Sequence, residues 1–235
     1  MKALILAAGF GSRLSPITDS IPKSLVKVNG TPILFKQIAN LLENNISDIT
    51  VVCGYKANVL IEQVRQKFPS VKYVVSEDYS KTNNMYSAYL GLKATGIGDC
   101  LLMNADVFFD SSVIKNLLSF PFKNAIVVDI GQYNDESMKV VESNGYLTDI
   151  AKTINKEQAL GNSIDVYKFD TFGCSLFYKK CCCYIEERNE LKLWSEVALN
   201  DVLKECHFKA CKLVGRWYEI DNFEDLEMAE RIFSE

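Results

Sequence analysis

The first 130 residues alternate short apolar runs of strand length with longer segments of helical periodicity. This alternation is typical of βαβ units, and it predicts a doubly wound parallel sheet with helices on both faces. The predicted strands are residues 2–6, 49–53, 71–75, 100–103 and 125–129. The predicted helices between them are residues 32–43, 57–67, 84–94 and 111–118.

The rhythm changes after residue 130. Two strand-like runs, 138–142 and 146–151, flank Asn144-Gly145, a pair that favours a tight hairpin turn. Further strands are predicted at 172–178 and 209–214, and helices at 195–205 and 223–233. We therefore expect an α/β fold, a doubly wound, Rossmann-like mixed sheet with an inserted substrate-side hairpin. It would form one domain over residues 1–235, with a nucleotide-binding half (1–130) and an acceptor-binding, sheet-completing half (131–235).

Composition removes several classes of function. The net charge of −4 leaves no excess of basic residues, so nucleic acid is not an expected partner. No run approaches the roughly 20 apolar residues of a membrane span, so we expect a cytoplasmic protein whose eight cysteines are free thiols. Mechanisms of the Ser-His-Asp or Cys-His type would have to use His207, the single histidine.

The strongest local pattern is residues 4–14, a buried strand that runs into a glycine turn. Open α/β sheets bind ligands at this carboxyl edge. Gly9 and Gly11 would let backbone N–H groups approach phosphate oxygens, and Arg13 adds a fork of donors. A dinucleotide fingerprint would need glycine at Leu14, and the Gly-Lys-Ser/Thr ending of a Walker A loop is absent. A tight turn with an exposed arginine is the alternative.

A second pattern follows at Pro22-Lys23, where a rigid proline precedes a lysine. Such a lysine is either solvated or placed on a transferring phosphoryl group. Together the two patterns resemble the nucleoside-triphosphate transferases that make nucleotide sugars and related activated metabolites. The family signature, Leu-Ala-Ala-Gly-x-Gly-x-Arg-Leu followed by Pro-Lys, matches residues 6–14 and 22–23. The resemblance extends over nearly the whole chain.

The resemblance implies that a substrate phosphate attacks the α-phosphorus of a nucleotide and expels pyrophosphate, with Mg²⁺ as cofactor. It also implies that Arg13 grips the nucleotide phosphates and that Lys23 stabilises charge on the reacting phosphate. Nucleotide contacts are then expected at Leu6, Ala8, Gly9 and Gly11. The family's metal-binding carboxylates match Asp106, after a buried strand, and Asp221 near the end of the chain. A strand-end acid and a helix cap are the respective alternatives.

The nucleotide is indicated by Asn83-Asn84-Met85-Tyr86-Ser87, which resembles the cytidylyltransferases for phosphocholine and for phosphonates such as 2-aminoethylphosphonate. An amide side chain can pair with the cytosine edge, so CTP is the expected nucleotide, with contacts from Asn83, Asn84 and Ser87. The two asparagines could instead cap the following helix. A sugar-1-phosphate transferase that uses UTP, GTP or dTTP and a non-catalytic nucleotide-binding module are the competing hypotheses.

The acceptor side carries further matches. Residues 135–140 resemble an Asp-x-x-Met-Lys-Val segment of this branch, which makes Lys139 the candidate for holding the acceptor phosphate. Trp194 and Glu196 could hold an alkylammonium by cation–π contact and charge, or could simply begin a helix and pack the core. The family pattern Gly-Glu-x-Ile-Gly is replaced by Gly161-Asn-Ser-Ile-Asp165.

That replacement removes an acid at position 162 and adds one at position 165, which changes the distribution of charge near the acceptor. Acceptors other than phosphocholine are therefore also expected, including the phosphoglutamine type used for capsules. The expected partners are therefore CTP and a small phosphorylated substrate. A homodimer is possible, although no interface strip is visible.

Overall fold

The computed structural model describes residues 1–133 and 136–234. Its strands are β1 (Lys2–Ala7), β2 (Lys27–Val28), β3 (Thr31–Pro32), β4 (Ile49–Cys53), β5 (Lys72–Val75), β6 (Cys100–Asn104), β7 (Val107–Phe109), β8 (Ala125–Ile130), β9 (Lys139–Ser143), β10 (Tyr146–Ala151), β11 (Gly161–Phe169), β12 (Lys209–Lys212) and β13 (Trp217–Glu219). Its helices are α1 (Ile33–Glu43), α2 (Ala57–Lys67), α3 (Asn84–Thr95), α4 (Ser111–Ser119), α5 (Thr171–Cys182), α6 (Ser195–Leu203) and α7 (Phe223–Ile232).

A mixed sheet of nine strands forms the centre, in the order β10-β9-β11-β6-β1-β4-β5, with β8 paired to β11 and β12. The strands β6, β1, β4 and β5 are parallel, whereas β11 runs antiparallel to β6, β8 and β9. This architecture confirms the α/β class and the mixed sheet.

Both faces of the sheet are covered, which explains why the central strands read as continuous apolar runs. On β1, Ile5 packs into a core layer with α1, α2 and α4, whereas Leu4 packs into the opposite layer with α3, α5 and α6. The hairpin of β9 and β10 is confirmed, and Asn144 and Gly145 both have the positive φ that its turn requires.

Two elements of the second half differ from the prediction. Residues 172–178, predicted as a strand, belong to helix α5, because Asp170 caps the helix through Gly173 N–H (2.8 Å) and buried Cys174, Phe177 and Cys181 recur at helical spacing. Strand β11 was missed because its buried polar residues, among them Lys168, interrupt the apolar run.

The topology brings distant segments to one edge of the sheet. The carboxyl ends of β1 and β6 lie side by side there, and β13 returns next to β7 through antiparallel pairing of Glu219 with Val107. The backbone N–H of Ile220 donates to Asp106 O (2.9 Å), which holds the end of the chain against the end of β6. In the described ranges, no helix is both long and apolar enough to cross a membrane.

Candidate active site

A cleft opens at this edge, and its wall contains most of the residues predicted from the sequence. They are Leu6, Ala8, Gly9, Arg13, Lys23, Asn83, Asn84, Ser87, Asp106, Asp165, Trp194, Glu196 and Asp221. Gly11 and Lys139 are not part of the wall that the described residues form. The roles of all these residues stay predictions, but the fold brings most of them together.

The two glycines of the turn differ in how closely other atoms approach them. A Cβ built on Gly9 would meet nothing within 4 Å, so its backbone is open to the cleft. Gly11 has φ +69°, and a Cβ there would lie 2.6 Å from Cβ of Lys23. Gly11 is therefore required for the close approach of the Lys23 side chain.

One end of the cleft, named the phosphate end after the roles expected of Arg13 and Lys23, is an ionic cluster of Arg13, Lys23, Asp106, Glu219 and Asp221. Lys23 Nζ lies 2.8 Å from Asp106 Oδ2 and 2.6 Å from Asp221 Oδ1, and Arg13 lies 2.8 Å from Asp221 Oδ2. Burial alone would lower the pKa of Lys23, but the two carboxylates raise it above its ordinary value. Burial opposes and Lys23 favours ionisation of Asp221, and the net effect lowers the pKa of Asp221. The two carboxylates thus stabilise the charged form of Lys23, and Lys23 stabilises the ionised form of Asp221.

Glu219 belongs to this cluster and was missed in the sequence. One carboxylate oxygen from each of Asp106, Glu219 and Asp221 lies within 4.8 Å of the others. Burial, followed by the charges of Asp106, Asp165 and Asp221, raises the pKa of Glu219 to about 9. The Glu-x-Asp spacing in an extended segment was the available signal, because side chains two residues apart share one face.

These three acids fit a hard divalent cation. They offer the carboxylate oxygens that Mg²⁺ prefers. Asp106 Oδ1 is buried and accepts no hydrogen bond from the described residues. The raised pKa of Glu219 reflects its burial first and then the negative charges of Asp106, Asp165 and Asp221, which the charge of Lys23 offsets only in part. The cluster is therefore a possible metal site.

The other end of the cleft, named the acceptor end after the roles expected of Asp165, Trp194 and Glu196, is built differently. Tyr167 is buried next to these acids and is not part of the wall. Tyr167 Oη lies 2.8 Å from Asp165 Oδ1 and 2.9 Å from Glu196 Oε1, and Ser195 Oγ donates to the same Glu196 oxygen (2.9 Å). Burial and the charge of Glu196 raise the pKa of Asp165 to about 7. Asp165 has φ +57°, where the register of β11 against β8 shifts, and such strained backbone is typical of functional positions.

Two asparagines connect this acceptor end to strand β6. Asn84 Oδ1 accepts from Ser195 N–H (2.8 Å), and its Nδ2 donates to Asn104 Oδ1 (3.3 Å). Asn104 Nδ2 in turn donates to Asp165 Oδ2 (2.8 Å). Together with Ser195, Tyr167 and Glu196 these groups form a ring of polar contacts, each at hydrogen-bond distance. Asn104 and Tyr167 were missed, because Asn104 directly follows the predicted strand at 100–103 and Tyr167 lies in β11, a strand that was itself not predicted.

The capping alternative holds for Asn83, whose side chain accepts from Asn84 N–H (2.8 Å) at the start of α3. Its own N–H donates to Leu191 O (3.0 Å), which ties the segment before Trp194 to this helix. Ser87 lies one turn further along and is buried in the cleft wall. Base recognition by these residues stays a prediction.

Two lysines differ in their placement. Lys139 is 2% exposed and donates to Ser137 O (3.2 Å), and Asp135 of the same predicted motif lies outside the described residues. Lys152, which the sequence did not single out, lines the cleft with its Nζ 5.2 Å from the ring centroid of Trp194. Trp194 keeps 46% of its surface exposed.

The model of the family described as "Nucleotidyl transferase" matches residues 2–142. The chain belongs to this nucleotidyl transferase family. The resemblance inferred from the signature is thereby confirmed. The family match covers the glycine turn, Lys23 and Asp106, but it ends before Asp165 and Asp221.

Individual proteins are similar over nearly the whole chain. CTP:phosphoglutamine cytidylyltransferase from Campylobacter jejuni is 27% identical, over 97% of this chain and 98% of its own. A structure of CTP:phosphocholine cytidylyltransferase from Streptococcus pneumoniae has a TM-score of 0.81 at 25% identity and covers 99% of both chains. Bifunctional protein GlmU from Methanococcus aeolicus is 29% identical over 96% of this chain, which spans about half (53%) of that relative.

Proposed function

We propose that this chain is a cytidylyltransferase that moves CMP from CTP to a small phosphorylated metabolite, with Mg²⁺ and release of pyrophosphate. The observation that carries the proposal is Lys23, held between Asp106 and Asp221 beside Arg13 and at one end of a cleft. Cations next to a cluster of acids can neutralise a triphosphate and also hold a metal ion. Two relatives that match nearly the whole chain are named as cytidylyltransferases.

The chemistry is an in-line displacement. An oxygen of the acceptor phosphate forms a bond to the α-phosphorus of CTP, while the bond from that phosphorus to the bridging oxygen breaks and pyrophosphate leaves. Lys23 would exchange its carboxylate contacts for the phosphate oxygens that gain charge, and Arg13 would bind the leaving phosphates. Asp106, Glu219 and Asp221 would hold Mg²⁺, which when bound neutralises further phosphate charge.

For the nucleotide, we propose that the open backbone at Gly9 and the segment of Asn83 and Ser87 contact the cytidine. Asn84 already uses its amide oxygen and one amide hydrogen within the protein. We therefore assign Asn84 mainly to positioning, with its remaining hydrogen free for the ligand.

For the acceptor phosphate, we propose Lys152 in place of Lys139. Lys152 lies in the cleft wall, whereas the ammonium of Lys139 is buried against Ser137 O. The acceptor would lie between Lys152 and the acids Asp165 and Glu196, so phosphocholine, an aminoalkylphosphonate and phosphoglutamine all match this distribution of charge.

The proposal is tested by measuring pyrophosphate release from each of the four nucleoside triphosphates with a panel of small phosphomonoesters and sugar 1-phosphates, with and without Mg²⁺. We expect a preference for CTP, dependence on Mg²⁺ and no turnover of sugar 1-phosphates. Preferred use of UTP, dTTP or GTP with a sugar 1-phosphate would instead support the alternative branch of the family.

A further inference from the structure

The acceptor end of the cleft contains more hydrogen-bond acceptors than donors. Tyr167 carries one hydroxyl hydrogen, yet its oxygen lies within hydrogen-bond distance of both Asp165 and Glu196. Ser163 Oγ also approaches this oxygen at 3.5 Å as a donor, so it supplies no hydrogen to the acids. When both acids are ionised, one carboxylate oxygen therefore faces the phenol oxygen without a hydrogen between them.

Glu196 adds a second unsatisfied acceptor. The residue is 3% exposed and lines the cleft, and its Oε1 receives the bonds from Ser195 and Tyr167. Its other oxygen accepts no hydrogen bond from residues 1–133 or 136–234. A carboxylate oxygen without a donor from the protein is available to a ligand, so a ligand that brings hydrogens and positive charge is favoured there.

The cleft wall has few aromatic side chains, and a lysine ammonium already lies over one of them. Among the described residues of its wall, the aromatic ones are Tyr79 and Trp194. Tyr79 packs against Gly54, where a Cβ would come within 2.5 Å of it, and its ring lies 6.1 Å from that of Tyr55. The ring of Trp194 already has the ammonium of Lys152 over it at 5.2 Å. A trimethylammonium group is typically held by several aromatic faces, and this cleft does not offer such a cage.

We infer that the acceptor carries a primary ammonium group, whose hydrogens bind Asp165 and Glu196, and that quaternary ammonium acceptors are discriminated against. This inference rests on the proposed function and narrows its acceptor class. A primary ammonium brings three donors to the acid pair, whereas a trimethylammonium group brings none. Lys152 would then be left to bind the anionic end of the same molecule.

The test is a series that changes only the methylation of the nitrogen. Phosphoethanolamine, its N-methyl and N,N-dimethyl forms and phosphocholine are compared with CTP, Mg²⁺ and the full chain, by pyrophosphate release. Because each methyl group removes a charge-assisted donor, we expect kcat/KM to fall along the series, by on the order of 100-fold in total. The control, 2-hydroxyethyl phosphate, has a neutral hydroxyl in place of the ammonium and should also have a lower kcat/KM than phosphoethanolamine.

Equal or better use of phosphocholine, or of 2-hydroxyethyl phosphate, would overturn the inference and leave cytidylyl transfer in place. If CTP is not used with any acceptor, the proposed function fails. The inference is then tested separately, by measuring the binding of the same five compounds to the protein by calorimetry. Binding that does not weaken with methylation, or no binding by any of them, would overturn it.

A variant ties the effect to the acid pair. In Glu196→Gln, kcat/KM for phosphoethanolamine divided by kcat/KM for 2-hydroxyethyl phosphate should fall by about 10-fold, because one charged acceptor is lost. Glu187→Gln, at an exposed acid outside the cleft wall, is the matched control and should leave the ratio unchanged. An unchanged ratio in Glu196→Gln would contradict the assignment.

Discussion

At the phosphate end of the cleft, Lys23 stands between two acids, whereas at the acceptor end Asp165 and Glu196 share one phenol. The first arrangement is charge-assisted and can be exchanged, because Lys23 and Arg13 can leave carboxylates for phosphates. The second has surplus acceptors and no basic partner among the described residues. One end therefore holds its own counter-charges before a ligand binds, and the other depends on the ligand for them.

The two ends also differ in how they are held. The phosphate end is formed by the ends of β1 and β6 and by the returning segment after β13. The acceptor end depends on the ring that runs from Ser195 through Asn84 and Asn104 to Asp165. Since Asn104 ends β6 two residues before Asp106, the ring connects Asp165 and Glu196 to the segment that carries Asp106. Changes at the phosphate end should act on turnover, and changes in the ring on acceptor binding.

The largest effect is expected from Asp106→Ala. This change removes both the partner of Lys23 and an oxygen of the possible metal site, so kcat should fall by at least about 1,000-fold. Turnover is measured across a Mg²⁺ titration, with Asp78→Ala, an exposed acid that does not itself line the cleft, as the control. Intact turnover with unchanged Mg²⁺ dependence would remove Asp106 from the site.

Lys23→Ala makes the phosphate end resemble the acceptor end, because Asp106, Glu219 and Asp221 lose their main counter-charge. We expect kcat to fall by about 100-fold, with a smaller change in KM for CTP. Without the ammonium, Mg²⁺ should also raise the Tm of the variant more than that of the natural chain, since the ion then balances three acids. Thermal unfolding with and without Mg²⁺ measures this.

The control for this change is Lys27→Ala, at an exposed lysine on β2. It should change neither turnover nor the response of Tm to Mg²⁺. An equal response to Mg²⁺ in Lys23→Ala and in the natural chain would show that the three acids do not act as one cluster.

Gly11→Ala tests the phosphate end without removing a charge. The new Cβ would lie 2.6 Å from Cβ of Lys23, so the lysine must move away from its two acids. We expect the free energy of unfolding to fall by about 1–3 kcal/mol and kcat to fall with it. Gly30→Ala is the control, because Gly30 also has a positive φ (+81°) but a Cβ there would meet nothing within 4 Å. It should lower the free energy of unfolding through backbone strain and leave kcat unchanged. Equal losses of kcat in the two variants would contradict this role of Gly11.

The phosphate end was largely predictable from the sequence, and the acceptor end was not. Gly9, Arg13 and Asp106 follow buried strands, whose carboxyl ends the βαβ pattern places at one sheet edge, whereas Lys23 and Asp221 were identified through the family resemblance. Tyr167, by contrast, is buried in β11, a strand whose polar residues and register shift hide its period. Its role depends on contacts made across the fold, which spacing along the chain does not encode.

The smallest effect is expected from Asn84→Ala, which opens the ring while leaving every charge in place. Ser195 N–H and Asn104 Oδ1 would lose their partner, so Trp194 and Glu196 would be held less firmly. We expect KM for the acceptor to rise by about 10-fold with little change in KM for CTP. Steady-state kinetics with each substrate varied in turn measures this, with Asn58→Ala on the exposed face of α2 as the control. A changed preference among nucleoside triphosphates, with the acceptor KM intact, would return Asn84 to base recognition and show that the two ends are not connected through it.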